Sequence, residues 1–437
     1  MVVTVTAFPA LASTAAIAQS PSTSAAATGR FADALRIVKR YRVDGLDSRR
    51  FTHDVFWRVV APSLKSSALS TREIGKSLQG RAIRTVTFGD GKTKVLLWSQ
   101  MHGDESTATM ALADIFNYLS APGSDPIRDR LKHDLTIVFI PMLNPDGAQV
   151  FQRRNAAAVD INRDARRLAT PEARALKAER DRFLPDFGFN LHDQNARTRV
   201  GPNGKQAAIA LEVPAYSDEG EYNDVRTRGR FVAATLASMF RTQIPGRVAK
   251  YDETFNPRAF GDNMQKWGAS TVLIESGALP DDPEKQKLRA LNAAAILGVL
   301  DAIASGSYTS ADPAEYESLP SNEGGAHNML VTGGKLVLPG EEPMLIDLAI
   351  DYDDAVAHRG PRLRDAGDLK EEVAIDTIDA TGLFVHPVGA SLAHGAGGAR
   401  LLMGAPASFD IRRGASASSA LVRHIGVASS SKRETRQ

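Results

Sequence analysis

Apolar residues along the chain fall at helical spacing in some stretches and in short unbroken runs in others, and the two kinds alternate. Between residues 31 and 75, Leu35, Ile37, Val38 and Tyr41 share one face, and Phe56, Val59 and Val60 share another, which predicts a mostly helical stretch. Ile83–Phe88 and Lys94–Ser99 are strand-like runs, expected to be neighbours joined by a turn at Gly89-Asp90-Gly91. Ser106–Tyr118 has helical spacing, and Leu135–Ile140 is a buried-strand run. Thr170-Pro171-Glu172 opens a helix with the residue types that helix N-termini favour. Phe187–Leu191, Ala208–Val213 and Thr271–Ile274 are strand-like, while Asp224–Phe240 and Pro283–Ile303 are helical.

Strands alternating with helices over about residues 70–305 predict a three-layer α/β/α domain. After Tyr308 the helical period is lost. Short runs at Met329–Thr332, Lys335–Leu338 and Leu345–Ile350, set apart by Gly or Pro, predict a smaller β-sandwich-like domain. The expected division is a leader at 1–29, an α/β domain at 30–307, a β-rich domain at 308–428 and a polar tail at 429–437.

Composition narrows the chemistry. The chain has 437 residues, and 53 basic against 51 acidic side chains leave a net charge of +2, so no global field recruits nucleic acid or anionic membrane. The absence of cysteine excludes disulfides, a cysteine nucleophile, iron–sulfur clusters and thiolate-bound zinc, so any metal site must use His, Asp and Glu. Residues 1–29 carry no charge, and Ala16-Ile17-Ala18 has the small-x-small form of a signal-peptidase site. A basic n-region is missing, but the pattern predicts export to the periplasm or the exterior, with the cytoplasm as the alternative. No later run is long and apolar enough to predict a membrane span. The sequence does not specify an oligomeric state.

One segment stands out, Met101-His102-Gly103-Asp104-Glu105, between a predicted strand and a predicted helix. His102 and Glu105, three residues apart, can face one point. A catalytic zinc needs a third protein ligand, and His192 at the exit of the run Phe187–Leu191 sits where α/β sheets bind ligands, completing a His₂Glu set. Hydrolysis also needs a base and a cation for the developing negative charge. Glu275 directly follows the apolar run Thr271–Ile274, and an acid there is unusual unless paired or functional. Arg153, Arg154, Asn162 and Arg163 follow the turn sequence Asn144-Pro145-Asp146-Gly147.

Taken in order, these motifs resemble the zinc metallocarboxypeptidases of the carboxypeptidase A-like type. The resemblance spans roughly residues 50–305 and is carried by Ile74–Arg81, His102-Gly103-Asp104-Glu105, Asn144-Pro145-Asp146-Gly147, Arg153-Arg154-Asn155, Asp160-Ile161-Asn162-Arg163, His192 and Glu275. It implies a single zinc ion held by His102, Glu105 and His192. It implies that Glu275 is the general base for zinc-activated water and later the proton donor to the leaving amine. Arg153 would polarise the scissile carbonyl, with Arg154 its adjacent competitor and a substrate contact. Asn162 and Arg163 would hold the substrate's terminal carboxylate, a task that suits the bidentate fork of arginine. Asp160 would orient His102 from behind. The implied substrate is a peptide, or a peptidoglycan-derived peptide, with a free carboxylate.

Some positions depart from that pattern. The family's substrate-closing tyrosine has no clear counterpart, Tyr251 being the nearest to its place. Asp164 stands where an asparagine often follows Asn-Arg, and Asp262 falls near the specificity positions, either favouring a basic side chain or serving the local structure. His53 and His133 are expected at the surface, while His327, His358, His386 and His394 are scattered through the β-rich region. Ile378–Val385 resembles the small β-domain that flanks the amidohydrolase barrel, although neither the barrel nor its His-x-His is present. Two other readings share the sequence: a murein peptide amidase or N-acyl amino-acid deacylase on the same zinc site, and a non-catalytic binding protein on a peptidase fold.

Overall fold

The computed structural model describes residues 22–395 and 398–426; the expected signal-peptidase site at 16–18 and the polar tail at 429–437 lie outside the described residues. The first element, α1 (Ser22–Arg40), begins within the stretch 1–29. Thr52 caps α2 (His53–Val60) by accepting a hydrogen bond from the Val55 amide. The stretch expected to be mostly helical ends instead in β1 (Leu69–Lys76), an edge strand antiparallel to β2 (Ala82–Phe88). Cross-strand pairing, with Leu69 opposite Phe88, overrides the local spacing there.

The remaining elements of the α/β unit follow the predicted alternation: β3 (Thr93–Ser99), α3 (Thr107–Leu119), α4 (Pro126–Asp134), β4 (Leu135–Ile140), α5 (Pro145–Val150), α6 (Pro171–Phe183), β5 (Phe187–Asp193), a short β6 (Arg199–Val200), β7 (Ile209–Glu212), α7 (Asp224–Gln243), β8 (Val248–Lys250), α8 (Phe260–Lys266), β9 (Ser270–Ser276) and α9 (Gln286–Ala304). Eight strands form one mixed sheet in the order β1-β2-β4-β3-β5-β9-β7-β8, with β4, β3, β5 and β9 parallel at its centre. Alternate residues of β3 and β4 face opposite ways. Val95, Leu97, Ile137 and Phe139 pack with α1, α3, α7 and α9, while Leu96, Trp98, Val138 and Ile140 pack with α6 and α8.

The expected β2–β3 hairpin is not formed, because β4 lies between the two strands. Gly89 has φ +76° and Gly91 lies against the backbone of Asp134 and Leu135, where a Cβ would meet a carbonyl carbon at 2.0 Å. The two glycines let the connection cross the start of β4 instead of turning back.

Helix ends are satisfied locally. Thr170 caps α6 as expected, accepting from Ala173, and Asp125 and Asn223 cap α4 and α7. His53, expected at the surface, is buried with Nε2 3.0 Å from the Ala82 carbonyl, whereas His133 is exposed. Buried Arg289 on α9 bonds Asp114 on α3 and the carbonyls of Val43 and Leu46, tying the N-terminal loop to two helices.

The chain stays with the α/β unit past residue 308. In α10 (Ala314–Glu317), buried Tyr316 accepts from the Val213 amide and donates to Glu253, and β10 (Asn322–Glu323) pairs with β6. The β-rich part then comprises β11 (His327–Leu336), β12 (Met344–Asp354), β13 (Arg359–Gly367), β14 (Ala374–Asp379), β15 (Phe384–Pro387), β16 (Leu392–Gly395), β17 (Gly398–Leu401), β18 (Phe409–Arg412) and β19 (Leu421–Ile425). Seven of these form one sheet around Val331, Leu348, Ile350, Leu363, Val385 and Phe409, with β16 and β17 paired separately. The two runs expected at 329–338 are a single strand, β11, whose register shifts between Val331 and Gly334.

Removing Asp114 would leave the Arg289 guanidinium buried without its charge partner. Asp114→Ala is expected to cost about 3 kcal/mol, seen as a lower urea midpoint.

Candidate metal centre

The carboxyl ends of three adjacent parallel strands, β3, β5 and β9, open on one cavity of about 520 Å³. Past Ser99 the chain turns at Gln100, with φ 48°, and brings His102 into the cavity wall. Glu105 follows just before α3. Gly103 packs on the backbone of Gly147, where a Cβ would come within 2.0 Å of a carbonyl carbon, so this loop rests directly on the Asn144–Gly147 turn. On β5 and β9 the register sets His192 opposite Glu275, so both side chains leave the sheet on one face.

His102, Glu105 and His192 converge. Their candidate donor atoms lie within 4.8 Å of one another, and all three residues are buried. The Glu105 carboxylate bridges the histidines, with Oε1 2.7 Å from His102 Nδ1 and Oε2 2.6 Å from His192 Nδ1. Behind the set, Asp160 Oδ1 lies 3.0 Å from His102 Nε2, which fixes the ring with Nδ1 facing its neighbours. Burial lowers the pKa of His102, but Glu105 and the hydrogen bonds to Asp160 and Glu105 outweigh it and push it up to about 9. For His192 burial wins and the pKa falls, while the two histidines hold Glu105 well below the usual carboxylate range against its own burial. Two imidazole nitrogens and one carboxylate, presented together from a rigid sheet, are a donor set that fits zinc.

Glu275 lies in the same cavity. Burial, reinforced by the charge of Glu105, pushes its carboxyl well above the ordinary range, and Oε2 has no hydrogen-bond partner among the described residues. Arg153 spans the site. Its Nε and Nη2 donate to Asp160 Oδ2 at 3.1 and 2.9 Å, and Nη1 lies 3.2 Å from Glu105 Oε1. Asn162 and Arg163 line the cavity at its other end, with Asn162 Oδ1 accepting from the Phe260 amide. Arg154 is not brought in; it is exposed, donates to the Ala158 carbonyl and lines a neighbouring cavity with Arg258.

Several sequence motifs turn out to buttress the site. Ser77, the Gln79 amide and Arg81 all bond the buried carboxylate of Asp146, so the Ile74–Arg81 segment pins the loop that carries Gly147. Asp164 accepts from the Ala169 and Thr170 amides and the Thr170 hydroxyl, anchoring the approach to α6. Asp262 accepts from the Asn256 amide at 2.7 Å, holding the 252–259 loop in place. Tyr251 lies in the cavity, where the charge of Glu275, together with burial, raises its pKa. Sequence reasoning missed Glu212, a buried residue on β7 that lines the cavity and whose carboxyl is pushed well above the ordinary range by burial and by Asp262. An acid inside an apolar strand run was the available signal, as it was for Glu275.

Residues 60–219 match the profile of the zinc carboxypeptidase family. The match contains the three converging residues, Arg153, Asn162 and Arg163, and ends before Glu275, which the strand register brings to the site. Among curated relatives, a probable carboxypeptidase 2 of Arthroderma benhamiae is 31% identical over 111 residues, covering 25% of this chain and 21% of that protein. An uncharacterised protein of Zymomonas mobilis is 25% identical over 154 residues, covering 34% of this chain and 39% of its own length. The chain thus spans about a fifth of the length of the curated carboxypeptidases it matches. A solved metallo-carboxypeptidase from Burkholderia cenocepacia superposes with a TM-score of 0.48 at 20% identity, covering 59% of this chain and 70% of that one. Among the described residues no helix is long and apolar enough to cross a membrane.

Asp262 gives a test of how this wall is held. Burial raises its carboxyl to about 6, whereas the unfolded group titrates near about 4. Between those values the folded state keeps a proton that the unfolded state has lost, so this residue's contribution falls as pH rises through the window. Asp262→Asn keeps an oxygen to accept from the Asn256 amide. Relative to wild type, it is expected to gain up to about 3 kcal/mol in denaturation free energy between about pH 4 and about pH 7.

Proposed function

We propose that the protein is a zinc-dependent carboxypeptidase-type hydrolase that cleaves the amide next to a free terminal carboxylate. The observation that carries this reading is the register of β5 and β9. It sets Glu275 beside His192, in one cavity with His102, Glu105, Asn162 and Arg163. His102, Glu105 and His192 would hold one zinc ion. The chemistry such an ion supplies is Lewis acidity, which polarises a carbonyl and acidifies a water.

The rest falls to this chain's own side chains. Glu275 takes the proton of the attacking water and delivers it to the leaving amine. Its buried carboxyl, with a pKa well above the usual range, is suited to both directions of transfer. Arg153 is held by Asp160 through Nε and Nη2, and its Nη1, now beside Glu105, is the edge that would stabilise the developing negative charge. Asn162 and Arg163 bind the substrate's terminal carboxylate, and the distance from them to Glu275 selects the last amide of the chain. Tyr251 lines the same cavity and is the candidate to close over a bound residue. Peptides and murein-derived peptides both present the required carboxylate.

Glu275→Gln is expected to lower hydrolysis of peptides by about 10²–10⁴-fold while the protein still binds one equivalent of zinc; full activity in that variant would overturn the assignment. His192→Ala should instead lose zinc. Arg163→Met is expected to raise KM for peptides with a free carboxylate and to leave the already poor cleavage of their amides unaltered. Assaying peptides and muropeptide fragments side by side identifies the preferred acyl part.

A further inference from the structure

We infer that the C-terminal β-domain is a wall of the substrate cleft, and that the space it encloses takes the extended backbone of a peptide on the amino side of the scissile bond. This rests on the hydrolase reading above, because that reading sets the direction of the bound chain. The carboxylate clamp, Asn162 and Arg163, lines only the first cavity of the two that flank the converging histidines and glutamate. A second cavity, of about 530 Å³, shares Glu105, Arg153, Asp193, Gln194 and Asn195 with the first and continues away from the clamp. A substrate whose last residue is clamped has its upstream residues directed there.

The far side of that second cavity is the tip of the β12–β13 hairpin, Asp353 to Val356. The hairpin is held in place. Asp354 accepts both Arg49 and Arg50, and Arg49 is itself fixed by the Pro283 carbonyl, the Glu284 carboxylate on its amide and the Ser106 hydroxyl on its carbonyl. A second ion pair, Arg197 to Asp351 at 2.6 Å, ties the same strand to the loop after β5. The polar groups around the cavity suit a peptide main chain. Asp193 and Asp104 both line the cavity, bringing carboxylate acceptors for N–H donors to its wall. The Arg50 guanidinium, more than half exposed and stacked on Phe151, also lines this cavity and offers donors to carbonyls. An extended backbone presents both kinds of group, whereas a short acyl group would leave these unmet.

The test compares an N-acyl dipeptide with a hexapeptide ending in the same two residues. Val356→Trp narrows the second cavity and Asp354→Asn loosens the hairpin. In each, kcat/KM for the hexapeptide is expected to fall about tenfold more than for the dipeptide, mainly through KM. An equal change for both substrates, or none, overturns the inference, since a merely structural role would not separate them by length. A second readout does not need turnover: in the Glu275→Gln protein, hydrogen exchange at residues 353–358 should slow with the hexapeptide and not with the dipeptide. Equal protection by both overturns it. If wild type cleaves neither substrate, the hydrolase reading fails, and the exchange measurement still decides whether the hairpin meets a bound peptide.

Discussion

Everything at the site depends on one electrostatic constraint: ionisable groups are held buried side by side. The strands that carry His192 and Glu275 are apolar and covered on both faces, so only their carboxyl ends are open to a polar cavity. Charge there cannot be left unopposed, and the molecule opposes it locally. Glu105 sits between two imidazoles, Asp160 between an imidazole and a guanidinium. Glu275 has one oxygen without such a partner among the described residues, and burial pushes its carboxyl well above the ordinary range. The same burial that makes the group costly marks it as a functional candidate.

The loops that carry these residues are held by backbone contact more than by side-chain packing. The Gly103 loop lies on Gly147, and the Gly147 loop is held in turn by Asp146, which gathers three donors from the segment after β1. Motifs far from the converging residues therefore act through position. This division of labour explains why a stretch such as Ile74–Arg81 accompanies His102, Glu105 and His192 although it lines neither cavity.

Much of the centre was legible in the sequence because its residues are chemically out of place locally. A glutamate closing an apolar run, or a histidine at the exit of one, is visible without knowing the fold, and strand-to-helix alternation says that such exits gather at one sheet edge. Glu212 carries the same signal and was passed over because no motif surrounds it. What the sequence hid was long-range. Gly89 and Gly91 look like a hairpin turn, and only the insertion of β4 shows that they let the chain cross its backbone. Arg154 and Arg153 are adjacent and alike, yet Asp160 captures one while the other bonds its own loop. His53 is polar in sequence and buried in space, because the Ala82 carbonyl on β2 needs a partner. Residue spacing cannot reveal partners of this kind.

The junction at Arg49 shows why the C-terminal part belongs to the argument about chemistry. A partly buried ion pair such as Arg49–Asp354 contributes little net stability, because desolvation offsets its Coulomb attraction, but it is demanding about geometry. Arg49 and Asp354 lie 305 positions apart in sequence, and the same arginine accepts the hydroxyl of Ser106, the residue next to Glu105. An unbroken chain of contacts thus runs from the β12–β13 hairpin to within one residue of the converging donors. Flexible attachment would have served a domain that only aids folding or solubility. A pair that fixes position at little gain in stability is what a domain needs when the width of a cleft depends on where it sits.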